Sequence, residues 1–339
     1  MFVPVAVSLL VSTIFLNLGL VFGGRFLATK NIIADKTGLI LGDSEYRADK
    51  IMAKVAEEVK SMPLPQFPRF QELSSGLPRS VEKESAFKIV NFDLAAENGA
   101  ILDCQSDDLI FEKRPDRPWP IASITKLFTA YVFLDYNPGW DNIYEMKASD
   151  KREGGKIYLF TGDRVKIKDL FYSALVGSDN TAAAALVSST GMSEEEFVGK
   201  VNEKIKNLGL KNTIIIDAAG LKDGNVSTAR EIAIFANIAL KSEEINQASL
   251  SKKYEFATEQ GRKKSISSTN ELLNIFPEQD VRILGGKTGH INASGYCFVS
   301  KFQNSSGKDI VAVVLGANSE ADRFSETKKL VDLYYRGKQ

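Results

Sequence analysis

Apolar residues are distributed along this chain in distinct patterns, and each pattern predicts a different kind of element. From Met1 to Gly24 there is no charged residue, and residues 2–22 are apolar apart from Ser8, Ser12, Thr13, Asn17 and Gly19. At ~1.5 Å rise per residue such a run crosses a bilayer core of ~30 Å, and it has no polar face. It exceeds the roughly 7–15 apolar residues of a signal-peptide core, and no small-x-small cleavage site precedes Arg25. The expectation for residues 1–27 is therefore an uncleaved N-terminal membrane anchor, with secretion as the outcome if it is a cleaved signal. The positive-inside rule favours Lys or Arg before such a run, whereas Arg25 and Lys30 follow it; long domains translocate largely regardless of such charges.

Residues 28–84 change character. Ile51, Val55 and Val59 recur at helical spacing among charges, and then Pro63-Leu-Pro-Gln-Phe-Pro68 and Pro78 read as extended linker. This pattern predicts a juxtamembrane stalk with one short helix over 45–62, either free or docked on the domain that follows.

From residue 85 to 339 the pattern is that of one compact domain. Asn98-Gly99 between the apolar runs 87–94 and 100–104 predicts a β-hairpin. Leu127, Phe128, Tyr131 and Leu134 form a helical stripe that ends before Asn137-Pro138-Gly139. The segment 137–275 reads as mainly helical: 169–176, the Ala-rich 181–187, and two helices opened by capping boxes, Ser193 with Glu196 and Thr228 with Glu231. Strand-like runs return at 281–286, 295–302 and 310–315, the last two joined by Asn304-Ser-Ser-Gly307, and 324–335 predicts a closing helix. Strands at both ends with helices between predict an α/β (α+β) fold, one antiparallel sheet completed by distant parts of the chain with a helical lobe inserted over about 137–275.

Composition narrows the function. Lys+Arg and Asp+Glu are 43 each, so no whole-chain field draws in nucleic acid. With two cysteines, Cys104 and Cys297, and the single His290, no Cys/His metal constellation can be assembled. No cofactor is expected.

The candidate chemistry lies in three short motifs: Ser123-Ile-Thr-Lys126, Ser178-Asp-Asn180 and Lys287-Thr-Gly289, with first residues 55 and 109 positions apart. Alone each is weak, since Lys36-Thr-Gly38, Ser268-Thr-Asn270 and Ser-x-x-Lys matches at 85, 249 and 325 also occur. Context separates them. Ser123 opens an apolar helix, Ser178 sits in a helix-to-helix turn, and Lys287 ends a strand-like run after Gly285-Gly286. Ser123 and Lys126 lie on one helix face as nucleophile and base. Ser178 can relay a proton to a leaving amine, and Asn180 can hold Lys126 and a substrate amide. Lys287 adds a cation that would depress the pKa of Lys126, and Thr288 can donate to a carboxylate. Backbone N–H groups of Ser123 and His290 can form an oxyanion hole. No Gly-x-Ser-x-Gly elbow exists, so His290 reads as cleft lining rather than a triad base. Cys297 reads as a packed strand residue.

In these motifs and their order, the chain from about 85 to 335 resembles the serine-type D-alanyl-D-alanine carboxypeptidases, the low-molecular-mass penicillin-binding proteins. The likeness includes Trp119-Pro-Ile-Ala-Ser-Ile-Thr-Lys-Leu127, Gly162-Asp163, Gly220-Leu221, Ser227-Thr-Ala-Arg230 and Gly286-Lys-Thr-Gly-His-Ile-Asn-Ala-Ser-Gly-Tyr296. The resemblance implies a β-lactamase/transpeptidase-like fold, with five antiparallel strands flanked by N- and C-terminal helices and an inserted helical lobe. It implies removal of the terminal D-alanine from peptidoglycan stem peptides and covalent inhibition by β-lactams. Together with the apolar N-terminal run, which predicts export, this gives an expected bacterial membrane location with the domain on the extracytoplasmic side. Arg323 stands where the family binds the substrate carboxylate, beside Lys287, Thr288, Gly289 and His290. One departure is Asp179, where the family more often has glycine; Ser-Asp-Asn is the class A β-lactamase spelling. Those enzymes also need a Glu-x-x-Leu-Asn loop, which is missing here. A class A-like β-lactamase, a D,D-endopeptidase and a non-turnover penicillin-binding receptor are the alternatives.

Overall fold

The computed structural model describes residues 92–276 and 280–336. These lie within the unit Val81–Gln339. The expected anchor at 1–27, the stalk at 28–84 and any helix before the first strand fall outside the described residues. In chain order the elements begin with strands β1 (Asn98–Asp103), β2 (Leu109–Lys113) and β3 (Trp119–Pro120), then helix α1 (Thr125–Phe133). Next come β4 (Ile143–Glu145), β5 (Arg164–Lys166), α2 (Ile167–Val176), α3 (Asn180–Ser188), α4 (Glu194–Asn207) and β6 (Val226–Ser227). They are followed by α5 (Ala229–Ala239), α6 (Glu243–Leu250), β7 (Lys253–Ala257) and β8 (Lys263–Ser267). The chain closes with β9 (Val281–Ile291), β10 (Gly295–Asn304), β11 (Asp309–Ala317) and α7 (Glu320–Arg336).

The main sheet is antiparallel with strand order β2-β1-β11-β10-β9, so its first and last parts come from opposite ends of the domain, as predicted. Its side chains divide with period two. Ala100, Leu102, Val299, Val311, Val313 and Leu315 turn toward the lobe, where Ile232, Phe235 and Ala236 of α5 meet them. Ile101, Phe298, Phe302, Ala312 and Val314 turn to the other face, against Phe324, Leu330, Val331 and Tyr334 of α7. Covering both faces explains why these strands read as continuous apolar runs. Helix α1 goes further than its predicted stripe: every residue except Tyr131 is buried, because helices of the lobe surround it.

Three local expectations change. Asn98-Gly99 is not a hairpin turn but the start of β1, paired with Leu315 and Val314. A Cβ on Gly99 would lie 2.3 Å from Leu94 Cδ2, so the glycine makes room for packing rather than for a turn. The turn comes after Asp103, whose Oδ1 accepts from Gln105 N at 2.9 Å, and Asp107 takes φ +58°. The second change concerns α5. Thr228 caps it by accepting from Glu231 N, but the Glu231 carboxylate does not return to the cap. It accepts from Asn212 N and Thr213 Oγ1 instead, tying the preceding loop to the helix. The box of Ser193 and Glu196 on α4 is complete. Finally, the lobe is helical at its centre but also carries the ribbons β4–β5 and β7–β8, and β3 pairs with β6.

Candidate active site

The turn bearing Ser123 is set by its neighbours in sequence. Pro118 and Pro120 hold the chain extended, because a residue before proline avoids the helical region. Trp119-Pro120 pairs with β6, and Trp119 Nε1 donates to Ser294 O at 2.9 Å. The chain then enters a 3-10 turn, Ala122–Ile124, before α1. Ala122 has φ +47°, a conformation that non-glycine residues adopt only when their surroundings impose it. Two glycines provide those surroundings. A Cβ on Gly220, itself at φ +81°, would lie 2.1 Å from Ala122 O, and one on Gly289 would lie 2.7 Å from Ile121 O. The nucleophile turn is thus clamped between the 217–222 loop and β9, which lies at the edge of the main sheet.

Lys126 leaves α1 on the same face as Ser123. Its Nζ donates to Ser123 Oγ at 2.8 Å, Asn180 Oδ1 at 2.6 Å and Ala219 O at 2.6 Å. Burial lowers its pKa to about 7, against the opposing pull of Asp179 and Asp217. Lys287 Nζ donates to Ser178 Oγ at 2.8 Å and Thr288 O at 3.0 Å. Burial, then repulsion from Lys126 and Arg323, brings Lys287 well below the usual lysine range. Sequence reasoning made Lys287 the depressor of Lys126. Here burial alone lowers Lys126, and the repulsion between the two amines falls on Lys287 instead.

Ser178, with φ +58°, ends the turn between α2 and α3. Asp179 is the N-cap of α3: Oδ1 accepts from Thr181 N at 2.8 Å and Ala182 N at 3.1 Å, and Oδ2 from Tyr158 N at 3.0 Å. Burial raises its pKa against those donors. Asn180 follows with its carbonyl on Lys126 and its Nδ2 on Gly154 O at 3.0 Å. Asp179 therefore joins one loop to the helix start that aims Asn180.

Beyond the two lysines the cleft widens to about 970 Å³. Ser123, Ser178, Asn180, Thr288, Gly289, His290 and Arg323 all line it, and Lys126 and Lys287 sit beneath, bonded to the two serines. His290 stacks on Tyr296 at 4.1 Å between ring centres. Arg323, buried, lies over the Tyr296 and Phe324 rings and donates to Gly289 O at 3.4 Å. Among the described residues no cluster of His, Cys, Asp or Glu can hold a metal. Cys297 is buried within β10, which pushes its thiol up to about 11. The arrangement offers a nucleophile with a partly neutral amine against it, a second hydroxyl on a second amine, and a guanidinium at one end. That is an acyl-transfer set for a substrate carrying a carboxylate.

Three contributors escaped sequence reasoning. Asp217 Oδ1 accepts from Ala219, Gly220 and Leu221 N, its Oδ2 from Lys222 N at 2.8 Å, and so it shapes the loop whose Ala219 carbonyl holds Lys126. An Asp three residues before a left-handed glycine was the available signal. Thr269 Oγ1 lies 2.6 Å from Thr288 Oγ1, inside the Ser268-Thr-Asn270 triplet set aside as a decoy. Glu320 pairs with Arg323 one helical turn away. The other decoys play local parts: Ser249 Oγ donates to Asn246 O, and Ser325 is exposed on α7. Lys36-Thr-Gly38 and Ser85 lie outside the described residues.

A family model described as D-alanyl-D-alanine carboxypeptidase matches residues 82–319. The D-alanyl-D-alanine carboxypeptidase DacF of Bacillus subtilis is 27% identical over 269 residues, 76% of this chain and 67% of that protein. A D-alanyl-D-alanine endopeptidase of Haemophilus influenzae is 32% identical over 246 residues, 70% of this chain and 82% of that protein. Among solved structures, the DD-transpeptidase of Streptomyces K15 superposes with a TM-score of 0.68 at 26% identity, covering 73% of this chain and 100% of that one. Penicillin-binding protein D2 from Listeria monocytogenes in the cefotaxime-bound form gives 0.63 at 27% identity, with the same coverages.

Proposed function

The chain belongs to the D-alanyl-D-alanine carboxypeptidase family, and from that premise we propose that it removes the terminal D-alanine of peptidoglycan stem pentapeptides through an acyl-enzyme on Ser123. It is a serine-type hydrolase of that family. One observation carries the assignment of roles: Ser123 Oγ is 2.8 Å from a buried amine whose pKa is lowered to about 7. A base matched to neutral pH needs that pKa.

In the acylation step, Ser123 Oγ attacks the carbonyl of the penultimate D-alanine and its proton passes to Lys126. The oxyanion takes hydrogen bonds from the N–H groups of Ser123 and His290. When the C–N bond breaks, the leaving amine takes a proton from Ser178, and Lys287 resupplies that hydroxyl across 2.8 Å. Lys126 is then protonated and Lys287 neutral. In deacylation, water attacks the ester while its proton passes through Ser178 to Lys287. Lys126 returns its proton to Ser123 Oγ as the C–O bond breaks, and both amines recover their starting states. Arg323 and Thr288 bind the terminal carboxylate.

The cefotaxime-bound form of the Listeria relative supports binding of β-lactams in the same cleft, where Ser123 would be the residue acylated. D,D-endopeptidase action on cross-linked peptides is the second reading, favoured by the endopeptidase name of the 32% identical relative. The apolar run at 1–27 supports a membrane-anchored domain on the extracytoplasmic side; recovery of the protein in the cytosolic fraction would overturn that location. For the activity, the protein is incubated with a pentapeptide, a cross-linked dimer and a labelled penicillin. The expected result is D-alanine release and Ser123-dependent labelling. D-alanine release that persists in Ser123→Ala would refute the assignment.

A further inference from the structure

The arginine that faces the substrate carboxylate already has a carboxylate on it. Arg323 is buried, with its side chain 4% exposed, and its Nη2 pairs with Glu320, whose side chain is 58% exposed on the cleft wall. The remaining donors are underused: Nη1 reaches Gly289 O only at 3.4 Å, and buried Nε has no acceptor among the described residues. A guanidinium has five N–H donors, so this one retains capacity for a planar anion. Its position does not depend on Glu320. The Tyr296 ring at 5.6 Å, the Phe324 ring at 4.7 Å and Gly289 O hold it from the other sides.

We propose that Glu320 is a specificity-determining competitor in the carboxylate end of the cleft. It occupies Arg323 while the cleft is empty and must swing into water when a ligand carboxylate arrives. This rests on the reading of Arg323 as the carboxylate-binding residue. Three features point to a competitor rather than a prop. The glutamate is the solvent-facing partner of the pair, and the arginine lies against two rings. Both line the same cleft as Thr288, so a second carboxylate at Arg323 would lie against the first and like charges would repel. Release of Glu320 returns to water a carboxylate that is already 58% exposed, while the arriving carboxylate replaces it on the buried guanidinium. The cleft therefore gives up part of its attraction for a free carboxylate, and tolerates leaving groups without one better than an unmasked arginine would.

The test compares full-length wild type, Glu320→Gln, Arg323→Gln and the double variant on a pentapeptide ending in a free carboxylate and on its C-terminal amide. The scale is that of a carboxylate removed from the solvent side of an ion pair: Glu320→Gln is expected to lower KM for the free-carboxylate peptide about two- to fivefold with kcat retained. The amide should be unaffected. In the Arg323→Gln background the Glu320→Gln change should have no effect, which a double-mutant cycle reads directly. A rise in KM on Glu320→Gln would make Glu320 a prop and overturn the proposal, as would an effect that persists without Arg323. If wild type releases no D-alanine from any peptide, the functional reading fails separately. The same four proteins are then compared by acylation rate with a penicillin and its methyl ester, where a gain confined to the free acid is expected and an equal gain on both refutes the competitor.

Discussion

Lys126 Nζ stands 2.8 Å from Ser123 Oγ in a site with no water-facing escape for its charge, and burial there lowers its pKa to about 7. Only the neutral amine can accept the serine proton. Below the lowered pKa the ammonium predominates and acylation slows; above it the amine is free and the rate levels. The second-order rate of acylation by a labelled penicillin should therefore rise with pH through about 7. Lys126→Arg keeps a charge that proteins do not remove. It should cost about 10²–10⁴ in that rate, the usual scale of general-base catalysis. A pH-independent rate across neutrality would contradict the role given to Lys126.

Asp179 connects stability to that same titration. Its carboxylate caps α3 through Thr181 N and Ala182 N, and its charge raises the pKa of Lys126. Asp179→Asn keeps an acceptor for the cap, loses the one for Tyr158 N and removes the charge, so the rising limb of the pH profile should move to lower pH with a smaller loss of stability than removal of the cap causes. Asp179→Ala removes the cap as well, and its urea midpoint should fall by the equivalent of about 1–2 kcal/mol. Identical pH profiles for wild type and Asp179→Asn would remove Asp179 from the electrostatics of the site.

What the sequence revealed follows from the range of the signals it carries. The sheet and the lobe were legible because short apolar runs, helical stripes and capping residues act over a few positions. The motif residues were legible because Ser123 and Ser178 stand at element boundaries that the local pattern marks, and Lys287 follows Gly285-Gly286 in an apolar run, although that run continues as β9 past Lys287 to Ile291. Asn98-Gly99 misled for the same reason: an Asn-Gly pair favours a tight turn locally, and only the packing of Leu94 over Gly99 overrides it. Thr269 was out of reach, because it meets Thr288 only once strands and lobe have closed around one cleft. Asp217 and Glu320 make local contacts, with their own loop backbone and with Arg323 one helical turn on, but the site those contacts serve exists only after the same closure. The depressed amine of Lys126 is also a property of closure, since desolvation cannot be read from a Ser-x-x-Lys spacing.

Thr269 gives that lesson a measurable form. Its hydroxyl is 2.6 Å from the Thr288 hydroxyl, and in such a pair one oxygen donates and the other accepts. If Thr269 donates, the Thr288 hydrogen is directed away from the pair and toward a carboxylate held by Arg323. Thr269→Val keeps the shape and removes the donor. A lost hydrogen bond of about 1 kcal/mol corresponds to roughly fivefold, which should appear in KM for a free-carboxylate peptide with little change in kcat. Thr269→Ser restores the hydroxyl and should restore KM. If the serine variant binds as poorly as the valine one, the effect comes from packing of the 268–270 segment, and Thr269 has no part in orienting Thr288.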